Sequence, residues 1–235
     1  INELYGGSEL GTVNKSGTTN ITINGGIIKK VYGGGKGNDS VSPSTNGDIT
    51  VNMNSGIVTN IFGGNNIRGV ISTNILVNVS GGTIDNVYGG SDGSNLSLSS
   101  GQSSEGIVGA TNTKVNITGG KINSTIYGGG KSAVTSGTSI VNISGGEFAS
   151  VDSNGYLVTG TTPAEVFGGG EEAKVNTTYV NILNGAKVYN VYAGSNKAGV
   201  VTKSNLNASS GEVLCNTYGG GKIAEVTTAN SYLRG

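Results

Sequence analysis

Around residues 21–26 the chain runs apolar, polar, apolar and then into glycine, and the same phrase recurs along its length. Aligned on the closing glycine (Gly26, Gly56, Gly82, Gly120, Gly146, Gly185, Gly211), one apolar column holds Ile21, Val51, Val77, Val115, Val141, Val180 and Leu206. A second holds Ile23, Met53, Val79, Ile117, Ile143, Ile182 and Ala208. Between them stand Thr22, Asn52, Asn78, Asn116, Asn142, Asn181 and Asn207. A period of two marks a strand with one buried and one open face. Past the glycine a further apolar column (Ile28, Val58, Ile84, Ile122, Phe148, Val188, Val213) predicts a second strand. It runs into an aromatic followed by small residues, at Tyr5, Tyr32, Phe62, Tyr88, Tyr127, Phe167, Tyr192 and Tyr218. A third short strand is predicted at Val13, Val70, Val175, Val200 and Val226, with Val134 one place early.

One unit therefore has three short strands and three corners. The aromatics are spaced by 27, 30, 26, 39, 40, 25 and 26 residues, a minimal unit of about 26. Insertions near 37–47, 92–106 and 150–164 account for the long intervals, which surface corners tolerate because loop closure grows costlier only slowly with length. Propeller blades need about 40 residues and four strands, and a leucine-rich consensus is missing. The pattern predicts an all-β chain: one right-handed, single-stranded parallel β-helix over residues 1–235, a solenoid of about eight coils. Handedness follows from the right-handed crossover rule for parallel strands. Equivalent residues then lie over each other. The apolar columns become a continuous core that no single coil could bury, and the glycine column marks a tight corner.

Composition agrees with this picture. Glycine supplies 44 of 235 residues, against a usual share of about 7%, and there are two prolines. No run has the 3.6-residue period of a helix. Lys plus Arg and Asp plus Glu are 14 each, with arginine only at Arg68 and Arg234, so no basic stripe exists for nucleic acid. No apolar stretch is long enough to predict membrane insertion in this segment. The absence of histidine removes Ser-His-Asp triads, Cys-His dyads and His-based zinc sites. The one cysteine, Cys215, sits at a strand position and reads as a small filler. The chain opens at a second-strand corner and stops where a first strand should start, with no capping element visible. That predicts a piece of a longer array or end-to-end stacking between molecules.

Three features are candidates for chemistry. The asparagine column, with Asn78, Asn116 and Asn142 at its centre, is predicted on the outer face as a polar stripe with amides bonding along the stack. A polysaccharide could lie along it. An ice-binding surface would call for threonine columns, which are missing. The same column writes Asn-x-Ser/Thr sequons at Asn78, Asn116, Asn142 and Asn207, with others such as Asn14, read as by-products of the repeat. The aromatic column (Tyr32, Phe62, Tyr88 and Tyr127 at its centre) is either a structural stack closing the corner or a ladder on which sugars pack. Phe62 and Phe167 suggest that the tyrosine hydroxyl is dispensable. Carboxylates are scattered. Their one local group, Glu165, Glu171 and Glu172 with Asp152, Lys131 and Lys174 within reach, reads as a solvated charge cluster. Asp92 alone is far from a calcium site. No catalytic residue, metal ligand or cofactor is assigned.

At "VNISGG" and "VYGGG" the repeat resembles the Gly- and Asn-rich β-helical segments of bacterial surface and secreted adhesin-like proteins. The resemblance covers nearly the whole chain and is one of repeat style. It implies export to the cell surface or beyond, a passive stalk, and attachment to polysaccharide, host-surface glycans or neighbouring cells. The alternative is a carbohydrate-active or carbohydrate-binding β-helix.

Overall fold

The computed structural model describes residues 1–13, 17–99, 104–153 and 157–233. Its strands are β1 Glu3–Tyr5, β2 Thr12–Val13, β3 Thr19–Tyr32, β4 Ser44–Thr45, β5 Ile49–Phe62, β6 Gly69–Val79, β7 Thr83–Tyr88, β8 Val108–Ile117, β9 Lys121–Tyr127, β10 Val134–Ile143, β11 Glu165–Phe167, β12 Val175–Ile182, β13 Lys187–Tyr192, β14 Val201–Ala208, β15 Glu212–Tyr218 and β16 Val226–Leu233. Every pairing between them is parallel. Odd-numbered β7 to β15 continue one stack and even-numbered β6 to β16 the other. Strand β5 bends through its glycine corner and belongs to both, so the two stacks form one 14-stranded sheet. This is the pairing of a parallel β-solenoid.

The vertical register predicted from the repeat is present. Val51 pairs with Val77, Val77 with Val115, Val115 with Val141, Val141 with Val180 and Val180 with Leu206. The second-strand column is likewise in line through Ile28, Val58, Ile84 and Ile122. Together these side chains make one continuous buried core. Gly56 and Gly146 turn their corners at φ of 101° and 104°, a backbone region that a side chain strains. Among the buried hydroxyls of the described residues, Thr45 and Thr135 Oγ1 have no partner, while others bond to backbone carbonyls of the glycine corner. Thr113 and Ser139, for example, donate to the carbonyls of Gly128 and Gly168 at 2.7 and 2.8 Å.

Two details differ from expectation. The third and first strands are not separate elements in most coils. They run on as single strands, β6, β8, β10, β12 and β14, with a register shift between Ile71 and Asn74 in β6. The third-strand column is also displaced by one residue in places. Ile71 and Val201 point inward, while Val70 and Val200 lie exposed. A one-residue slip exchanges the two faces of a strand, and it arises because the corner from Gly63 to Ile71 and from Ala193 to Val201 is one residue longer than that from Gly168 to Val175. The first two insertions meet: Ser97 N donates to Asp39 Oδ1 at 2.9 Å. Asn14, Arg234 and parts of the second and third insertions lie outside the described residues.

Candidate functional site

The aromatic column forms an unbroken stack from Tyr5 to Tyr218. Successive ring centroids lie 4.6–5.1 Å apart with interplanar angles of 6–15°. The strand spacing of about 4.8 Å imposes this separation. Tyr32, Phe62, Tyr88 and Tyr127 are 0, 2, 5 and 2% exposed. Both faces of each ring are covered by neighbouring rings, so no sugar can stack on them. With Phe167 and Tyr192, these four residues form a separate structural core lying along one corner.

The hydroxyls of this stack follow a rule that the repeat alignment did not reveal. Four residues past each aromatic lies a polar column, and Tyr5, Tyr32, Tyr88 and Tyr127 each reach the member of that column two coils further on. Tyr32 Oη donates to Asp92 Oδ2 at 3.2 Å, and Tyr88 Oη donates to Glu171 Oε2 at 2.7 Å. Asn66 and Asn196 donate their amides to the hydroxyls of Tyr5 and Tyr127 at 2.7 and 2.8 Å. The same two-coil step places Lys131 after Phe62 and Lys222 after Phe167. Phenylalanine thus stands where the polar column offers a lysine. In these four coils the hydroxyl is matched to a partner, which the Phe substitutions alone do not indicate.

The acidic group is consumed in the same way. Lys197 pairs with Glu171 and Glu172, Lys222 with Glu165, and Lys174 with Glu105. Asp92 is 1% exposed, and its other oxygen accepts from Ser94 N and Oγ. Burial pushes the Glu171 carboxyl up, but the hydrogen bonds from Lys197 and Tyr88 outweigh it and hold the group below its ordinary range. Burial, then the bond to Glu171, pushes the Tyr88 phenol far above its ordinary value. Among the described residues no three His, Cys, Asp or Glu side chains converge on a metal position.

This network supplies a test. Tyr88→Phe should cost about 2 kcal/mol, because it removes a hydrogen bond to a buried charged acceptor. The carboxyl of Glu171 is lowered in the folded chain. Its contribution is therefore fully present above the ordinary value of 4.5 and is lost as pH falls through the lower folded value. Unfolding midpoints measured from pH 6 down to about 3 should show this loss in the wild type. The slope should flatten in Glu171→Gln.

One open part of the molecule is the outward face of the stack built on β5, β6, β8, β10, β12, β14 and β16. As predicted, the asparagines lie here, half-buried, and their amides form a ladder. Nδ2 of Asn78, Asn116, Asn142 and Asn181 each donates to Oδ1 of the asparagine one coil earlier, at 2.8–3.0 Å. The nitrogen that a glycan would need at the Asn78, Asn116 and Asn142 sequons is the one bonded along the stack. Among the described residues the ladder stops after Asn181: no bond joins Asn207 Nδ2 to Asn181 Oδ1, and Asn207 Oδ1 accepts instead from Ser209 N at 3.2 Å.

Beside the ladder runs a second outward column: Thr50, Leu76, Lys114, Ile140, Tyr179, Asn205 and Asn230, in register from strand to strand. Two grooves lie along it. One, of about 550 Å³, has Leu76 and Ile140 in its lining, with Asp48, Asn74, Asn112 and Lys114. The other, of about 430 Å³, holds Tyr179 among Asn181, Asn205, Asn207 and Asn230, with Tyr232 at its far side. The asparagine column names Asn181 and Asn207 of this groove, but Tyr179 is not singled out from the sequence. The signal was there: Tyr179 directly precedes the inward Val180, so a period of two turns its ring outward. No protein-family model, no curated protein and no solved structure matches the chain.

Proposed function

We propose that the chain is a right-handed, single-stranded parallel β-helix of about eight coils of about 26 residues. On this reading it acts outside a bacterial cell as a non-catalytic stalk or adhesin that attaches to surfaces or glycans. The observation that carries the reading is the uninterrupted stack of eight rings from Tyr5 to Tyr218, with core and amide columns beside it. Each coil is tied to the next by backbone bonds, ring contact and amide contact, so the seven intervals make a rod roughly 35 Å long. A rod of this kind holds a repeating outer face at fixed spacing, which suits attachment at many points.

A glycan array together with beads carrying the protein tests the proposal. Retention on glycans or cell surfaces, with the soluble polysaccharide left at its original length, is the expected result. Shortening of a polysaccharide, lost in Glu171→Ala and Glu172→Ala, would replace the reading with a carbohydrate-active enzyme.

A further inference from the structure

On the glycan-binding reading above, we infer that the outward face is a track for a neutral, linear polysaccharide lying along the solenoid axis, with Tyr179 as its stacking ring. The site differs from the buried aromatic corner. Tyr179 stands on an open face with 39% of its surface exposed, and the column it belongs to is otherwise polar or aliphatic. An exposed tyrosine offers a flat apolar face against which the C–H side of a pyranose packs, with a hydroxyl at its edge.

The polar groups around the ring are those a sugar needs. The amide ladder bonds asparagine to asparagine up to Asn181 and then breaks, beside Tyr179. Among the described residues Asn181 Oδ1 has no protein donor and Asn207 Nδ2 no protein acceptor, while Asn207 Oδ1 accepts from Ser209 N. An acceptor and a donor side by side on neighbouring coils match the adjacent hydroxyls of a sugar ring, which donate and accept at once. A small number of placed polar groups around an apolar surface is the usual composition of a ligand site.

Charge selects the ligand class. No Asp, Glu, Lys or Arg lines the groove at Tyr179. The companion groove carries Asp48 and Lys114, one of each sign. An acidic polysaccharide would find no basic cluster here, and a cationic one no acidic cluster. The two grooves share one column, and Thr50 to Asn230 spans six strand intervals, about 29 Å. Each interval is close to the advance of one pyranose unit along an extended chain. The apolar side chains Leu76, Ile140 and Tyr179 repeat along the track, with Lys114 between the first two.

Affinity electrophoresis of the whole chain tests this, in gels containing hydroxyethylcellulose or soluble xylan, or polygalacturonate as the acidic probe. The wild type should be retarded by a neutral polymer and not by polygalacturonate. Tyr179→Ala should weaken that retardation at least tenfold, Tyr179→Phe should keep it, and Leu214→Ala, an exposed apolar change on the other stack, should not alter it. Circular dichroism of each variant excludes misfolding as the cause. Retardation unchanged in Tyr179→Ala overturns the track while leaving glycan attachment standing, as does binding to polygalacturonate alone. If no polysaccharide retards the wild type, the track and glycan attachment both fall.

Discussion

Gly63→Val should destabilise the chain by more than about 3 kcal/mol, measured by chemical unfolding followed in the far-ultraviolet circular dichroism. Gly63 follows the stacked ring of Phe62, and its amide continues the ladder to Tyr88 O at 2.9 Å. A Cβ built at this position would collide with the carbonyl oxygen of Gly89. It would also lie 2.5 Å from Ile75 Cγ2 and 2.9 Å from Val77 Cγ2. The first obstacle is backbone of the next coil, so relief requires two coils to separate where they are packed most tightly. Gly220→Ala is the control: a Cβ there meets nothing within 4 Å, and its effect should stay within about 0.5 kcal/mol. The chain contains its own supporting case. Ala193 occupies the position that glycine holds after the other rings, and in that coil the following strand carries Leu206 where Gly63 faces Val77. Leucine does not branch at Cβ, so the methyl that would crowd an added side chain is absent.

What the sequence makes legible here depends on whether a feature repeats with the coil. Val51, Val77, Val115, Val141 and Val180 recur at a constant offset from a glycine corner, and they stand in register as a column. The asparagines between inward residues face outward for the same reason, and stacking alone brings their amides into contact. Features that break the period were misread or missed. A count of seven from the small residue after the ring points to Val70 and Val200, but the corner is one residue longer in those coils and Ile71 and Val201 take the inward places. Phe62 and Phe167 suggested an idle hydroxyl, because an alignment compares a ring with other rings. The partner that decides the matter lies two coils away, 83 residues on for Tyr88 and Glu171. The candidate site was half legible. Its asparagines were named from their column, whereas Tyr179 occurs once and so formed no column of aromatics. The corner rings were conspicuous because they repeat, and they repeat because each packs against the next.

That packing sets the second large effect. Phe167→Ala should lower stability by about 4 kcal/mol. Phe167 is completely buried, with Tyr127 at 5.1 Å on one face and Tyr192 at 4.8 Å on the other. Alanine removes the ring and leaves a cavity between two tyrosines. Their separation is fixed by the backbone ladder, so collapse cannot close the gap. Phe167→Leu separates the contributions. It restores much of the volume but gives up two stacked contacts, each of about 0.5–1.5 kcal/mol, so its loss should fall between wild type and alanine. The near-ultraviolet circular dichroism of the tyrosines reports the ladder directly, since the chain has no tryptophan. If the stack acts as one body, Phe167→Ala should reduce that signal by more than one ring's share, because Tyr127 and Tyr192 each lose a stacked neighbour. If the rings are merely adjacent apolar fillers, Phe167→Leu and wild type should give the same spectrum and nearly the same stability, and the aromatic column would then contribute volume and nothing more.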